Sequence, residues 1–203
     1  RERLAFEELF ELLLASQLNR LENQKLAGYH IPFEVEVVKQ FVAQLPFAMT
    51  GAQKRAAWDI LQDFEHATPM NRLLQGDVGS GKTVVAGLAS RQAPSHGYQT
   101  ALMAPTEILA GQHAETLNSL LSPFDVRVGL LTSSVKGAAR KTLYGQIANG
   151  EVDVVVGTHA LIQEKVTFHN LGFVVIDEQH RFGVDQRHKL LGKSGTLPHL
   201  LAM

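Results

Sequence analysis

The sequence predicts an α/β fold in which a mostly parallel sheet is covered by helices on both faces. From residue 47 onwards, short apolar runs alternate with helical patterns, and glycine and proline separate them. Parallel strands need crossover connections, which place helices on the faces of the sheet. Two helical patterns come first, so we expect an N-terminal helical appendage over residues 1–46 and one α/β domain over residues 47–203.

The composition is ordinary for a globular protein and excludes several classes of function. Of the 203 residues, 45% are hydrophobic and 19% are charged, and the longest apolar runs are too short to cross a bilayer. The absence of cysteine excludes disulfides, thiolate zinc sites and thiol catalysis. Residues 1–20 show no signal-peptide pattern, so we expect a cytoplasmic protein without a membrane partner. Proteins that bind DNA mainly through its phosphates usually carry a basic excess, whereas the net charge here is −1. Any contact with nucleic acid must therefore be local, or shared with parts of the protein outside this sequence.

The appendage is predicted to consist of two helices. Leucines at helical spacing predict the first over residues 3–26, and Gly28 ends it. The second is predicted over residues 34–45 and is ended by Pro46. Neither contains a constellation of chemical groups, so both are interpreted as a packing appendage or linker. The predicted inward face of the second helix consists of Val35, Val38, Phe41, Val42 and Leu45.

The α/β region begins with a helix signal and continues as a regular series of elements. Thr50 and Gln53 have the spacing of a capping box, which predicts a helix that reaches Phe64. The final apolar run, residues 200–203, is interpreted as a strand that has only begun where the sequence stops. Strands are predicted over residues 72–74, 100–103, 126–131, 152–156 and 173–176, and helices over residues 83–92, 107–121 and 136–148.

A glycine-rich segment predicts a phosphate-binding loop. Residues 76–83 read Gly-Asp-Val-Gly-Ser-Gly-Lys-Thr and fit the pattern G-x-x-x-x-G-K-[ST] without deviation. The glycines let consecutive N–H groups turn towards one phosphate, and the helix that follows adds its positive dipole end. We expect Lys82 to reach the β- and γ-phosphates of ATP and Thr83 to ligate Mg²⁺. The predicted ATP-binding residues of the loop are Gly76, Gly79, Ser80, Gly81, Lys82 and Thr83.

An acidic pair follows the apolar run at residues 173–176. In open α/β sheets, ligands bind at the carboxyl ends of the strands, where Asp177 and Glu178 are expected to lie. Asp177 is predicted to hold Mg²⁺, directly or through water, and Glu178 to polarise the attacking water, which makes Glu178 and Lys82 the predicted catalytic residues. An acidic pair in this position is also consistent with a solvated turn, and the complete glycine loop favours the catalytic interpretation.

Two interpretations of Gln53 remain open. As the third residue of a helix, it can reach back to cap the N-terminus at Thr50. It can also form hydrogen bonds with the adenine edge, which would explain a preference for ATP. The two roles are compatible.

Several segments, in their order and spacing, resemble motifs of the superfamily 2 helicases. The sequence Asp-Glu-Gln-His at residues 177–180 is a four-letter form of the family's metal-binding motif. Residues 104–110 resemble motif Ia, residues 157–161 resemble a later DNA-contacting motif, and residues 45–53 resemble the segment that precedes the phosphate loop. The resemblance covers nearly the whole chain. The run His-Arg-Phe-Gly-Val at residues 180–184 narrows it to two related members, and Gln179 favours the member that remodels branched DNA.

The resemblance implies a RecA-like P-loop fold and the first motor domain of an ATP-dependent DNA helicase. Such an enzyme hydrolyses ATP with Mg²⁺ and remodels branched or forked DNA in recombination and repair. The resemblance further implies contacts with the DNA backbone at Pro105, Thr106, Gly157 and Thr158, and a coupling role for His180 between the nucleotide and DNA surfaces. Taken alone, residues 105–107 are also consistent with a plain helix start, and residues 157–159 with a turn that ends a strand.

The resemblance also implies partner domains that the sequence does not contain. These are a wedge domain that engages the DNA fork and a second RecA-like domain that supplies an arginine finger. Since arginine fingers contribute about 10³ to 10⁵ in rate, we expect this chain alone to bind ATP and to hydrolyse it poorly. Two other functions stay open at this point: a P-loop ATPase that acts on another substrate, and a non-catalytic nucleotide-binding module, against which Glu178 argues.

Overall fold

A computed structural model of the chain describes residues 6, 7, 9–11, 13–15, 17, 18 and 26–203. The helix predicted over residues 3–26 falls in large part outside the described residues, and those described from Phe6 to Leu18 are helical. Within the described part of the chain, no helix has the length and apolar character needed to span a membrane.

The described strands form one sheet in which every neighbouring pair is parallel, and this confirms the predicted fold. The strands are β1 (Asn71–Leu73), β2 (Gln99–Met103), β3 (Val128–Leu131), β4 (Val154–Gly157), β5 (Leu171–Ile176) and β6 (His199–Ala202). Across the sheet, their order is β1-β6-β5-β2-β4-β3. All five predicted strands are present, with bounds that differ by up to two residues, and the final apolar run forms β6.

The α-helices from residue 26 onwards are α1 (Val35–Gln44), α2 (Gly51–Phe64), α3 (Lys82–Gln92), α4 (Glu107–Leu121), α5 (Gly137–Ala148) and α6 (Val184–Leu191). Helices α3 to α6 are crossover connections between strands, whereas α1 and α2 precede β1. Helix α4 has the bounds predicted for it, whereas α6 was not predicted, because its short pattern contains few apolar residues. Short 3₁₀ helices occur at Pro94–His96, Ser122–Phe124, His159–Ile162 and Gln179–Arg181.

The inner strands β6, β5, β2 and β4 are buried on both faces, and each face of the sheet has its own hydrophobic core. In β5, Phe173 and Val175 belong to the core that α1 to α4 cover, whereas Val174 and Ile176 belong to the core that α5 and α6 cover. Successive residues of a strand point to opposite faces, so both sets must be apolar when both faces are covered. This is why β5 reads as a continuous apolar run in the sequence.

Helix α1 packs against the same core as α2, α3 and α4. Phe41 is 1% exposed, and the Ile31 side chain before the helix is fully buried. The predicted inward face was wrong at one end, because Val35 is 49% exposed and Val37 is 7% exposed. Val37 and Phe41 are four residues apart and therefore lie on one line of the helix, whereas Val35 begins the first turn and points away from that line. The domain boundary at residue 46 stays a prediction.

His199 at the start of β6 is buried as a neutral imidazole. Its Nδ1 accepts a hydrogen bond from the Met70 N–H at 3.1 Å, and its Nε2 lies 2.7 Å from the Tyr29 carbonyl oxygen, to which it donates. The ring also packs against Phe64, with centroids 4.7 Å apart. Burial lowers the pKa of His199 to about 4. Protonation of Nδ1 would remove the bond from Met70, so the fold requires the neutral form.

This histidine predicts a loss of stability in mild acid. Below pH 6.5 the unfolded chain binds a proton at His199 that the folded chain does not bind until about pH 4, so the free energy of unfolding decreases as the pH falls through that range. Between pH 7.5 and pH 5 the expected decrease from this group is about 2 kcal/mol. Urea denaturation at several pH values measures it. His199→Gln should flatten the profile and the exposed control His66→Gln should not; equal profiles for all three proteins would contradict the assignment.

Candidate nucleotide-binding site

A cleft of about 1000 Å³ opens at the carboxyl ends of β1, β5 and β6. Its walls are the loop after β1, the first turn of α3, one side of α4 and the turn after β5. Since all strands are parallel, loops that are distant in sequence meet at this edge of the sheet. Ser80 belongs to the same loop but not to the lining. The predicted site residues that line the cleft are Gly76, Gly79, Gly81, Lys82, Thr83, Asp177, Glu178 and His180.

The phosphate loop requires glycine at two positions. Gly79 and Gly81 have φ angles of 80° and 81°, in the left-handed region that side chains disfavour. At Gly81 a Cβ atom would also collide with the side-chain amide of Gln53. The Ser80 N–H donates to the Asp77 carbonyl oxygen at 3.1 Å, which tightens the loop into one turn. The curl that the sequence pattern predicted is therefore built into the backbone.

The Lys82 ammonium group lies within the curve of this loop. Its Nζ donates to the carbonyl oxygens of Gly76 at 2.7 Å and Asp77 at 3.0 Å. Lys82 and Thr83 are half-buried in the first turn of α3, whose unpaired N–H groups carry partial positive charge. An ammonium group, a hydroxyl group and a helix N-terminus therefore face one space, which is the donor set that a phosphate chain requires.

The acidic pair is held by backbone hydrogen bonds to the strands on either side of β5. The Asp177 N–H donates to the Met103 carbonyl oxygen at 2.9 Å, and the Glu178 N–H donates to the Met203 carbonyl oxygen at 2.8 Å. The Asp177 side chain is 14% exposed and lies against α4, where the His113 Nε2 is 2.7 Å from its Oδ2. Asp177 is therefore fixed in both backbone and side chain.

Glu178 is held differently and lies nearer to solvent. Its backbone has a φ of 53°, one of two non-glycine residues in the described chain with a positive value. Its carboxylate is 40% exposed and lies 3.2 Å from the His180 Nε2 and 3.2 Å from the Arg181 Nε. Both partners are well exposed, so these ion pairs contribute little to stability and can rearrange easily. The predicted role of Glu178 in polarising water stays a prediction, as does the coupling role of His180.

Gln53 forms the predicted cap and also contacts the phosphate loop. Its side-chain oxygen accepts from the Thr50 N–H at 2.9 Å, and its own N–H donates to the Thr50 hydroxyl at 3.2 Å, which completes the capping box. Its side-chain amide donates to the Ser80 carbonyl oxygen at 2.8 Å. The capping interpretation is confirmed, and a contact with adenine stays a prediction. The bond to the loop was not foreseen, because Gln53 and Ser80 are far apart in sequence.

The predicted DNA-contacting segments lie side by side on the neighbouring half of the same edge. They follow β2 and β4, and the Ala104 N–H donates to the Gly157 carbonyl oxygen at 2.9 Å. Pro105 is half-buried and Thr106 is exposed, whereas Gly157 and Thr158 are buried, with Thr158 7% exposed. The edge is thus divided: the predicted nucleotide-binding residues follow β1 and β5, and the predicted DNA-contacting residues lie after β2 and at the end of β4.

The start of α4 forms one contact that the sequence predicts and one that it does not. Thr106 caps the helix, as the interpretation of a plain helix start predicts, because its hydroxyl group accepts from the Leu109 N–H at 3.2 Å. Glu107, the first residue of α4, accepts hydrogen bonds from the backbone N–H and the hydroxyl group of Ser133 in the loop after β3. The bond from the Ser133 hydroxyl lowers the pKa of Glu107. The carboxylate therefore joins the loops after β2 and β3, which no sequence pattern indicated.

The oxygen donors in the cleft fit Mg²⁺ held together with a nucleotide. In the part of the chain that the structure describes, no three His, Asp or Glu side chains are placed to hold a metal ion by themselves. Mg²⁺ in phosphoryl-transfer sites is held by one or two protein oxygens together with phosphates and water. The Thr83 hydroxyl and the Asp177 carboxylate, from two walls of the cleft, match that requirement.

The parallel sheet and the glycine loop with Lys82 at a helix start define a P-loop nucleoside-triphosphate-binding domain. Comparison of the sequence with known protein families identifies the family within this class. The model of the DEAD/DEAH box helicase family matches residues 50–199. The chain belongs to the DEAD/DEAH box helicase family.

The chain is similar to RecG helicases from several bacteria. The chain is 50% identical over 204 residues to the ATP-dependent DNA helicase RecG of Staphylococcus aureus and 51% identical over 201 residues to that of Thermotoga maritima, and it spans 29% and 26% of their lengths. Alignment covers 100% and 99% of this chain, respectively. A solved structure of RecG bound to a three-way DNA junction matches with a TM-score of 0.87 and 48% identity, covering 100% of this chain and 27% of that one. The predicted resemblance to superfamily 2 helicases, and within them to RecG, is confirmed.

Proposed function

We propose that this chain is the first motor domain of an ATP-dependent DNA translocase that remodels branched DNA by fork reversal and branch migration in recombination and repair. The observation that supports it most is the divided edge of the sheet. The glycine loop and the acidic pair share one cleft, and the two segments that resemble DNA-contacting motifs follow the adjacent strands. The RecG relatives are bacterial, and in a bacterium work on DNA would place the protein in the cytoplasm.

The cleft residues support a division of labour in ATP hydrolysis. Lys82 and the N–H groups at the start of α3 bind and orient the phosphate chain, and Thr83 and Asp177 hold Mg²⁺ when it is bound. Mg²⁺ supplies charge neutralisation for the phosphates. Glu178, on a turn at the rim of the cleft, orients the attacking water. For this, its carboxylate must leave His180 and Arg181, and their exposed ion pairs present only a small barrier.

On the DNA side, the chain can bind phosphates without a basic excess. Thr106 is exposed at the start of α4, where its hydroxyl group and the first N–H groups of the helix can face a DNA phosphate. Gly157 and Thr158 are buried, so their contribution would come from the backbone or from support of the neighbouring segment. A grip of this kind agrees with the net charge of −1.

The proposed motion needs a second motor domain, since one cleft alone gives no relative movement. The chain spans less than a third of the RecG relatives that it matches, so their remaining length has room for the further domains that the family resemblance implies. Closure of two motor domains around ATP would bring an arginine finger to the γ-phosphate, and reopening after hydrolysis would advance the DNA. The intact protein, in this proposal, is the full-length protein in which this motor domain is joined to those further domains.

ATP hydrolysis by the intact protein is expected to depend on DNA structure. With ATP and Mg²⁺ in excess, forked DNA should increase the rate about tenfold over the rate without DNA, a factor typical of coupling between two sites. Linear duplex of equal length should increase the rate less than forked DNA does. A coupled assay of ADP release with each DNA measures this. Equal rates with and without DNA would contradict the proposal and favour a P-loop ATPase that acts on another substrate.

A further inference from the structure

The hydrogen bond between His113 and Asp177 points to a residue of the hydrolytic site that the sequence patterns do not include. The two side chains are 64 residues apart in sequence, and the His113 Nε2 lies 2.7 Å from the Asp177 Oδ2. Both side chains are 14% exposed. Because a carboxylate only accepts hydrogen bonds, the Nε2 atom carries the proton and donates it into this bond.

We propose that His113 is a positioning residue that holds the Asp177 carboxylate in the orientation needed to bind Mg²⁺. This inference rests on the proposed function, because it assigns a role within the same ATP site. His113 comes from α4, which forms a separate wall of the cleft, and not from the phosphate loop or the acidic turn. It thus ties the metal-binding carboxylate to a helix that the sequence associates with DNA contact.

The geometry favours a positioning role over simple packing. The bond from His113 uses Oδ2 and does not require Oδ1, so one carboxylate oxygen can be held by the protein while the other faces the cleft. Without it, the Asp177 side chain could rotate about χ1 and χ2, and ordering it on each binding event would cost entropy. Hydrogen bonds to metal-binding side chains have this function in metal sites generally, and their loss typically reduces metal affinity or activity about 10- to 100-fold.

The rigidity of both supports strengthens this inference. Ala110 and Ala114 on α4 are buried in the core on either side of His113, at 0% and 9% exposure, so the helix cannot move freely away from the sheet. Asp177 follows β5 directly, and its N–H is bonded to β2 at the Met103 carbonyl oxygen. Because both elements are held in place, the hydrogen bond between them can fix the position of the Asp177 carboxylate oxygen to within a fraction of an ångström.

Three substitutions at position 113 separate positioning from packing. His113→Ala removes the donor. His113→Gln places an N–H donor near the position of the histidine Nε2, whereas the shorter His113→Asn places one near Nδ1 and cannot reach Asp177. Asn118→Ala, at an exposed position of the same helix, is the matched control. The intact protein should be used for all four variants.

The first measurement is a binding experiment that does not depend on turnover. Mn²⁺ is titrated in the presence of ADP and followed by electron paramagnetic resonance, with thermal unfolding recorded for each variant. His113→Ala and His113→Asn are expected to weaken Mn²⁺ binding about 10- to 100-fold. His113→Gln and Asn118→Ala should bind it nearly as the unaltered protein does, and all variants should unfold cooperatively.

The second measurement is steady-state ATP hydrolysis as a function of Mg²⁺ with forked DNA. The Mg²⁺ concentration for half-maximal rate is expected to rise in the same order, with the Ala and Asn variants most affected and the Gln variant least. Unchanged ion dependence in His113→Ala, or an equal loss in the Gln and Asn variants, would overturn the positioning role. Absence of Mg²⁺-dependent hydrolysis in the unaltered protein would instead overturn the proposed function, so the two failures are distinguishable.

Discussion

Substitution of Lys82 by alanine is expected to reduce ATP hydrolysis by the intact protein about 100- to 1000-fold. The Lys82 ammonium group lies within the curve of the phosphate loop, where it would neutralise charge that increases on the phosphates in the transition state. Removal of one preorganised electrostatic donor typically costs about 3–4 kcal/mol of transition-state stabilisation. The rate of ADP release at saturating ATP and Mg²⁺, with forked DNA present, measures this effect.

The same substitution should leave the fold and the binding of DNA largely intact. The two hydrogen bonds that Lys82 makes are to carbonyl groups of an exposed loop, which water can satisfy. Lys39→Ala is a suitable control, because that lysine is exposed on α1 and pairs only weakly with Glu36. Normal turnover in the Lys82→Ala variant would show that the phosphate loop is not part of the catalytic site.

The isolated chain of 203 residues is expected to hydrolyse ATP about 10³ to 10⁵ times more slowly than the DNA-stimulated intact protein. The cleft supplies Lys82, Thr83 and two carboxylates, and none of the described residues that line it is an arginine. Arg181, on the turn after β5, pairs with Glu178. In the proposed cycle the arginine finger comes from a second motor domain, so the transferring phosphate would lack that charge. Parallel measurements of single-turnover hydrolysis on both proteins provide the comparison.

A binding control keeps this second prediction interpretable. The isolated chain should still bind a fluorescent ATP analogue in the presence of Mg²⁺, because the phosphate loop and Asp177 belong to the same chain. Binding without appreciable hydrolysis is the expected result. DNA-stimulated turnover by the isolated chain at the rate of the intact protein would show that one domain suffices, and the two-domain cycle would have to be abandoned.

The sequence predicted those parts of the fold and site that depend on local chemistry. The phosphate loop was predictable because its glycines and Lys82 are adjacent, and β5 was predictable because burial on both faces makes every residue apolar. The capping box at Thr50 and Gln53 also depends on a spacing of three residues. The exposure of Val35 was not predictable, since several rotations of α1 satisfy the same pattern until the neighbouring elements are known.

The contacts that were missed join residues distant in sequence. His113 and Asp177 meet only because α4, which packs over β3 and β4, forms a wall of the cleft that faces the turn after β5. A lone histidine in a helix gives no sign of such a partner. The same applies to the bond from Gln53 to Ser80 and to the bond between Glu107 and Ser133. Sequence spacing therefore predicts the separate loops of the site well, whereas the hydrogen bonds that hold them in register require the folded structure.

Strand β6 separates the two loops of the nucleotide site by the width of one strand. The Leu74 N–H donates to the Ala202 carbonyl oxygen at 2.7 Å, and the Met203 N–H donates to the Ile176 carbonyl oxygen at 2.9 Å. Because neighbouring strands are about 4.8 Å apart, β1 and β5 are separated by about 10 Å. Main-chain hydrogen bonds thus set the spacing between the two strands from which the phosphate loop and the acidic pair begin. Exchange of one aliphatic residue for another at Leu200 or Leu201 would therefore alter the packing but leave this spacing unchanged.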